Sequence, residues 1–329
     1  MFSKFMYRFK ELQKIIQENI AGQSFLNEPR ELYEPIHYSL NTGGKRLRPV
    51  MLLMAANLYS HDIQTPIMPA IGIEIFHNFT LLHDDIMDNA KLRRNQPTVH
   101  ARWDTNTAIL SGDAMFIRAY DYIFEYKGEN AHNVYHVFNH SARKVCEGQQ
   151  YDMNFETTHH VTEQQYMKMI ELKTAELIAC SLKVGALIGG ADDQQSDMLF
   201  QFGKDLGMAF QLQDDYLDSF GDEQAFGKNI GGDILSGKKT YLLIKAYEKS
   251  EKTDKDRLDQ LLGDKKIDPQ SKIQQVQDIY LRLGIDQIIT AKAEKYLEKA
   301  FVMLDKIPKS DEAKTPLQEL AQGMMKRQK

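Results

Sequence analysis

Between Pro97 and Pro269 the chain contains no proline. All nine prolines lie at 29, 35, 49, 66, 69, 97, 269, 308 and 316, so about half of the chain runs without the residue that breaks a helix by removing a backbone N–H. Within that stretch no Asn-Gly or Asp-Gly pair marks a hairpin, and no long run alternates apolar with polar. Apolar residues recur instead every three or four positions. Ile71, Ile75, Phe79, Leu82 and Ile86 form one such series, and Met167, Ile170, Leu177, Cys180 and Val184 another. The pattern predicts an all-α chain, one domain of many helices. At 329 residues and 42% hydrophobic content there is ample material for a core.

The N-terminus joins this pattern. Met6, Phe9, Leu12, Ile16 and Ile20 predict an amphipathic first helix, whose scattered charges argue against a signal peptide. The most apolar stretch, Leu177 to Ala191, contains Lys183 and is too short to span a bilayer, so no stable membrane insertion is expected. A formal charge of −5 argues against a nucleic-acid-binding surface. Cys146 and Cys180 make neither a disulfide framework nor a zinc cluster, and a reducing, cytoplasmic setting is the simpler expectation. Gly43-Gly44 should precede a helix opened by Pro49. Gly221, Gly227, Gly231, Gly232 and Gly237 predict a mobile loop near a functional end, and the Lys-, Asp- and Gln-rich stretch 249–275 a solvated surface segment.

One internal echo carries chemistry. Leu81-Leu82-His83-Asp84-Asp85-Ile86-Met87-Asp88 resembles Gln211-Leu212-Gln213-Asp214-Asp215-Tyr216-Leu217-Asp218, and both runs deliver Asp-Asp-x-x-Asp. The copies start 130 residues apart, too far for a tandem repeat. On a helix, Asp84 and Asp88 share one face, as do Asp214 and Asp218, while Asp85 and Asp215 are rotated about 100° away. Three acids in one turn repel each other, and cations would relieve them. All-oxygen ligands select a hard ion, and the expected one is Mg²⁺, which fills its remaining positions with water and phosphate oxygens.

Basic groups accompany both clusters. Lys45, Arg46 and Arg48 follow the glycine pair, Lys91, Arg93 and Arg94 follow the first cluster, and Lys228 and Lys238 follow the second. Arginine clamps phosphate oxygens bidentately and lysine supplies a point charge. With no nucleotide-type glycine loop present, the combination suggests a polyphosphate held through metal on one side and directly on the other.

At this point the chain resembles the trans-isoprenyl diphosphate synthases, the polyprenyl synthetase family. The resemblance rests on Gly43-Gly44-Lys45-Arg46-Leu47-Arg48-Pro49, both acid motifs, Arg93-Arg94-x-x-Pro97-Thr98-x-His100, Lys173-Thr174, Phe210-Gln211, Gly227-Lys228 and Gly237-Lys238-x-Thr240. Asn95 departs from it, standing where the family often has glycine. The resemblance implies a single polyprenyl synthetase domain over 1–329, built as an isoprenoid synthase-type helical bundle around a central cavity, and a homodimer. It implies Mg²⁺-dependent condensation of isopentenyl diphosphate onto an allylic diphosphate (dimethylallyl, geranyl or farnesyl). By matching motif positions, Asp84, Asp88 and Asp214, with Asp218 close by, would hold about three Mg²⁺ ions. Arg93, Lys173, Lys228 and Lys238 would bind the allylic diphosphate. Lys45, Arg48, His77 and Arg94 would hold isopentenyl diphosphate, and Thr174 and Gln211 would line the reacting centre. Asp84, Asp88, Arg93, Lys173, Asp214 and Lys228 would carry the chemistry. His77 lies seven residues before Asp84, two turns up the same face; His83 and His100 suit helix packing or a local hydrogen bond as well as a site.

Thr80, Phe79 and Phe76 lie four, five and eight positions before Asp84 and would line the tunnel of the growing chain. In families like this an aromatic at the fifth position marks short-chain enzymes and a small neighbour relaxes the limit, so by that resemblance Phe79 beside Thr80 implies a C20 product first, C15 second and longer chains third. Three other readings are weaker. A class I terpene cyclase usually replaces the second Asp-Asp-x-x-Asp with an Asn/Asp-Ser/Thr-Glu type motif. A di-iron bundle could use Glu74-x-x-His77 and Glu156-x-x-His159, but leaves the basic groups unexplained. A non-catalytic synthase subunit would tend to have lost aspartates.

Overall fold

The computed structural model describes residues 6–221, 230–264 and 266–326. Sixteen α-helices follow one another among them: α1 (Phe9–Ala21), α2 (Arg30–Asn41), α3 (Leu47–Asn57), α4 (Ile67–Met87), α5 (Val99–Arg102), α6 (Thr105–Phe124), α7 (Ala131–Thr157), α8 (Glu163–Ile170), α9 (Glu176–Gly189), α10 (Asp193–Phe220), α11 (Gly232–Ser236), α12 (Tyr241–Lys249), α13 (Lys252–Gly263), α14 (Pro269–Arg282), α15 (Ile285–Asp305) and α16 (Asp311–Met325). A single π-helical turn, Glu171–Ala175, joins α8 to α9. The all-α expectation holds, with one small exception: β1 (Leu92–Arg93) pairs antiparallel with β2 (Gln96–Pro97). No helix of the described residues is long and apolar enough to cross a membrane, and Cys146 and Cys180 are both free.

The chain divides into two compact units. The first comprises Met1–Asn139, Cys180–Leu199 and Lys309–Leu317. Its α3 is buried on every side from Pro49 to Asn57, as a helix with no polar face must be. Helix α1 buries Leu12, Ile16 and Ile20, the positions its periodicity selected. Helices α4 and α6 pack closely because small residues line their contact. A Cβ on Gly72 would stand 2.9 Å from the Ala119 carbonyl oxygen, and one on Gly112 would stand 2.2 Å from the His83 ring. His83 is thereby accounted for: its imidazole fills the space over Gly112, with Nε2 3.2 Å from the Ile109 carbonyl.

The second unit comprises His140–Ala179, Phe200–Pro308 and Gln318–Lys329. Its core gathers Tyr166, Leu212, Tyr241, Leu242, Val276, Tyr280 and Ile289, among others. Two expectations are corrected here. The stretch 249–275 is not simply a solvated surface: α13 turns Leu258 and Leu261 inward to 0% exposure while its charged residues face out. The glycine-rich stretch is not wholly loop either. Gly231 and Gly237, both left-handed, bracket the short helix α11, and Ile234 on it is buried. Residues 222–229, including Gly227 and Lys228, lie outside the described residues.

Candidate active site

In the first unit the site is built on the C-terminal half of α4 and on the loops before α3 and after α4. Arg46 is the keystone of the first loop. It adopts a left-handed conformation at φ 53°, and its buried guanidinium donates to Glu74 Oε1 at 2.6 Å and to the Leu40 carbonyl. Asn78 Nδ2 donates to the same Glu74 oxygen at 2.9 Å. Both charges are almost fully buried, so losing one partner would strand the other at a cost of about 3–5 kcal/mol. Glu74 is thus engaged through Oε1 in a buried ion pair, which a di-iron centre would have to share. The second Glu-x-x-His of that reading is interrupted, because α7 ends at Thr157, before His159.

The fixed loop delivers Arg48 to His77, with Nη1 and Nε2 3.0 Å apart. Burial drives the His77 pKa well below its usual value, and Arg48, Arg94, Arg93 and Arg46 push it the same way. The imidazole is neutral, and its Nε2 accepts from the guanidinium. Burial also brings Arg48 down to about 10, with Glu74 opposing and Arg94 reinforcing the fall. Guanidinium groups concentrated around a neutral ring, beyond what Glu74 balances, form a ready place for an anion. Lys45 is exposed beside them.

The hairpin after α4 carries the next two arginines. Its turn residues Arg94 and Asn95 both have positive φ, 53° and 60°, as a two-residue type I′ turn requires. Asparagine tolerates that conformation, so Asn95 preserves the turn that a glycine would also make. Sequence reading missed this hairpin because Arg-Asn carries a weaker signal than Asn-Gly. Arg94 donates to the Gly43 carbonyl and lies over Gly44, where a Cβ would meet its guanidinium at 2.8 Å. Arg93 is clamped by Asp85: Nε lies 2.8 and 2.9 Å from the two carboxylate oxygens, and Nη2 lies 2.7 Å from Oδ1. Burial opposes the Arg93 charge, but Asp85, with Asp84 and Asp88 nearby, outweighs it and raises the pKa. Asp85 is 4% exposed, whereas Asp84 is half-buried and Asp88 is exposed at the helix C-cap.

In the second unit, Lys173 and Thr174 sit on the π turn. That turn lies hard against α7, because a Cβ on Gly148 would stand 2.3 Å from the Lys173 backbone nitrogen. Lys173 Nζ donates to Asp152 Oδ2 at 2.6 Å, and Lys238 Nζ lies 3.9 Å from the same oxygen. Burial alone would raise the Asp152 pKa, but the two lysines outweigh it and hold it below the usual carboxylate range. Asp152 was missed by sequence reasoning; a single aspartate on a long polar helix carries no local signal.

A hydrogen-bond chain runs beside this pair. Thr174 Oγ1 donates to Gln211 Oε1 at 2.9 Å, and Gln211 Nε2 donates to Asp215 Oδ1 at 3.0 Å. The other Asp215 oxygen accepts from the Tyr166 hydroxyl and, at 3.4 Å, from the Tyr241 backbone. Burial, helped by Asp214, pushes Asp215 up to about 6 against the hydrogen bonds from Tyr166 and Gln211. Asp214 and Asp218 are half-buried on the neighbouring face. Asp218 also accepts from the Asp233 backbone N–H at 2.9 Å, which ties α11 to the acid motif.

Both acid motifs end helices, α4 and α10, where the helix dipole disfavours further negative charge. Among the described residues no three histidine, cysteine or carboxylate side chains converge as a self-sufficient metal cage. The donors present are pairs of carboxylates one turn apart. Such a set fits Mg²⁺, which takes one or two protein carboxylates and completes its shell with water and phosphate oxygens.

Before the first motif on α4, two of the residues expected to limit chain length, Phe76 and Phe79, join a cluster of tilted and edge-on aromatic rings. Phe76 is fully buried, with ring centroids 5.5 Å from Phe79, 6.1 Å from Phe116 and 5.4 Å from Phe138. Phe79 is half-buried and rests 5.2 Å from Phe116, while Thr80 donates to the His77 carbonyl at 2.8 Å.

Comparison with known proteins bears on this arrangement. The profile of the family described as Polyprenyl synthetase matches residues 29–280. A geranylgeranyl diphosphate synthase of Methanosarcina mazei is 40% identical over 231 residues, covering 70% of this chain and 71% of that protein. A short chain isoprenyl diphosphate synthase of Methanothermobacter thermautotrophicus is 36% identical over 303 residues, covering 91% of each. The crystal structure of a geranylgeranyl pyrophosphate synthase superposes with a TM-score of 0.93 at 40% identity, over 98% of this chain and 100% of that one.

Proposed function

The chain belongs to the polyprenyl synthetase family and is a short-chain isoprenyl diphosphate synthase, a prenyltransferase, and from that premise we propose that it uses Mg²⁺ to make a C20 diphosphate from isopentenyl diphosphate and an allylic diphosphate. The observation that carries this reading is the juxtaposition at the end of α4: an outward carboxylate pair, Asp84 and Asp88, beside arginines gathered around a neutral His77.

In this reading Lys45, Arg48, His77 and Arg94 bind isopentenyl diphosphate. Arg93, Lys173 and Lys238 bind the allylic diphosphate, and Lys228, outside the described residues, is assigned on its motif alone. Asp84, Asp88, Asp214 and Asp218 hold Mg²⁺, which supplies positive charge to the departing diphosphate. The arginine and lysine side chains add fixed charge where negative charge grows as the allylic carbon–oxygen bond breaks. Thr174 and Gln211 turn oxygen atoms toward the allylic cation. The isopentenyl double bond attacks it, and released pyrophosphate accepts the proton that leaves.

Product analysis by mass spectrometry tests the proposal, with isopentenyl diphosphate and each of dimethylallyl, geranyl and farnesyl diphosphate, with Mg²⁺ or with chelator. A C20 diphosphate formed only with Mg²⁺ is expected. A cyclic hydrocarbon would establish the cyclase reading instead, and a folded protein that elongates nothing would support the partner-subunit reading. Product length has its own test. Phe79→Ala removes the ring that rests on Phe116, and longer products are expected; an unchanged distribution would sink Phe79 as the floor of the tunnel.

We also propose a homodimer. Helix α6 exposes Leu110, Ile117 and Phe124, at 59%, 64% and 48%, spaced seven residues apart on one face. Ile117→Asp should turn a dimer into a monomer by light scattering. A wild-type monomer at micromolar concentration would exclude the dimer.

A further inference from the structure

We propose that the middle aspartate of each Asp-Asp-x-x-Asp copy, outside the metal set assigned above, is a positioning residue, Asp85 holding Arg93 and Asp215 holding Gln211. The inference rests on the proposed reaction and divides the labour within its two acid motifs.

Three observations converge on it. The middle residues are the buried ones, Asp85 at 4% and Asp215 at 3% exposure, and each outer residue is half-buried or exposed. Both oxygens of each middle carboxylate are engaged. Asp85 takes Nε and Nη2 of Arg93, and Asp215 takes Gln211, Tyr166 and the Tyr241 backbone. Each middle carboxylate holds one side chain assigned to substrate: Asp85 holds Arg93, assigned to the allylic diphosphate, and Asp215 holds Gln211, which with Thr174 is assigned to the reacting centre. A helix supplies this arrangement from one short motif. Neighbouring positions differ by about 100°, so one aspartate faces inward while two others, four apart, face outward.

The inward position calls for a carboxylate. An asparagine at 85 would offer one acceptor and turn an N–H toward the guanidinium, so the two-pronged clamp could not form. Arg93 would keep its charge and lose its fixed direction.

Double-mutant cycles on the full chain test this, with kinetics of elongation, Mg²⁺ half-saturation and thermal midpoint measured for each variant. Asp85→Asn is expected to lower kcat/KM for the allylic diphosphate about 10- to 100-fold, with the isopentenyl diphosphate KM and the Mg²⁺ half-saturation within about twofold of wild type. In the background of Arg93→Ala it should cost less than about twofold more, because the group it holds is gone. Asp215→Asn and Gln211→Ala should show the same coupling, with the loss in kcat. This second cycle stands on its own if Asp85→Asn does not fold. Losses that multiply in either cycle would overturn the proposal, as would a rise in Mg²⁺ half-saturation matching that of Asp84→Asn. If wild type elongates no allylic substrate, the reading of the reaction fails; if wild type elongates and a cycle is additive, only the division of labour fails.

Discussion

Asp84→Asn should slow elongation about a thousandfold and at the same time make the protein slightly more stable. The loss follows from removing one of two outward carboxylates from the set assigned to Mg²⁺; about 4 kcal/mol of lost transition-state stabilisation gives that factor. The gain has a separate origin. Asp84, Asp85 and Asp88 crowd the C-terminal turn of α4, where they repel each other and oppose the helix dipole. Neutralising one of them should return about 0.3–1 kcal/mol. Steady-state kinetics and a thermal melt without metal check both halves. A variant that is slow and also less stable would mean that Asp84 serves the fold, and a variant of normal rate would remove it from the metal set.

Gly148→Ala is the second large effect. The new Cβ would stand 2.3 Å from the Lys173 nitrogen and 2.7 Å from the Leu172 carbonyl carbon and the Lys173 Cα. All three are backbone atoms, so no flexible side chain can move aside. Overpacking of this kind costs about 1–3 kcal/mol, and more when backbone must shift. The displaced segment carries Lys173 and Thr174, so turnover should fall together with stability, by about a hundredfold. Gly263→Ala is the control. Nothing lies within 4 Å of its Cβ, and alanine at the end of α13 should leave both quantities unchanged. Denaturant titration and elongation kinetics of the pair decide the matter; a Gly148→Ala protein of wild-type stability would show that α7 and the π turn can part without cost.

What could be read from sequence, and what could not, divides by range. Helices came through because their signal is local and repeated: Leu12, Ile16 and Ile20 bury the face their spacing predicts. That Asp85 and Asp215 face a different way from their neighbours was also legible from helix geometry, but only the folded chain shows that theirs is the buried face. Their partners were not. Arg93 is eight residues from Asp85, and Tyr166 is 49 from Asp215, so only the folded chain brings them together. Asp152 gave no sign for the same reason: its meaning depends on Lys173, 21 residues away, and on Lys238. Polar segments misled in a different way. Leu258, Leu261 and Leu262 are three apolar residues among many charges, too few to outweigh composition, yet they seat α13 against the core. Arg46 reads as one more base in a basic run, and only its burial against Glu74 separates it from Lys45 and Arg48.

The hairpin after α4 is tied at several points. Tyr38 donates to the Pro97 carbonyl at 2.7 Å, Thr98 to the Ala90 carbonyl at 2.7 Å, Arg93 to Asp85, and Arg94 to the Gly43 carbonyl. Two long side chains that would each forfeit about 2 kcal/mol of rotamer freedom on being immobilised have therefore given up much of it during folding. An anion reaching this arm meets pre-organised guanidinium groups, and little ordering entropy is left to oppose its capture. Recognition there is a matter of charge and desolvation, so its strength should fall as salt rises and be nearly indifferent to whatever else the anion carries.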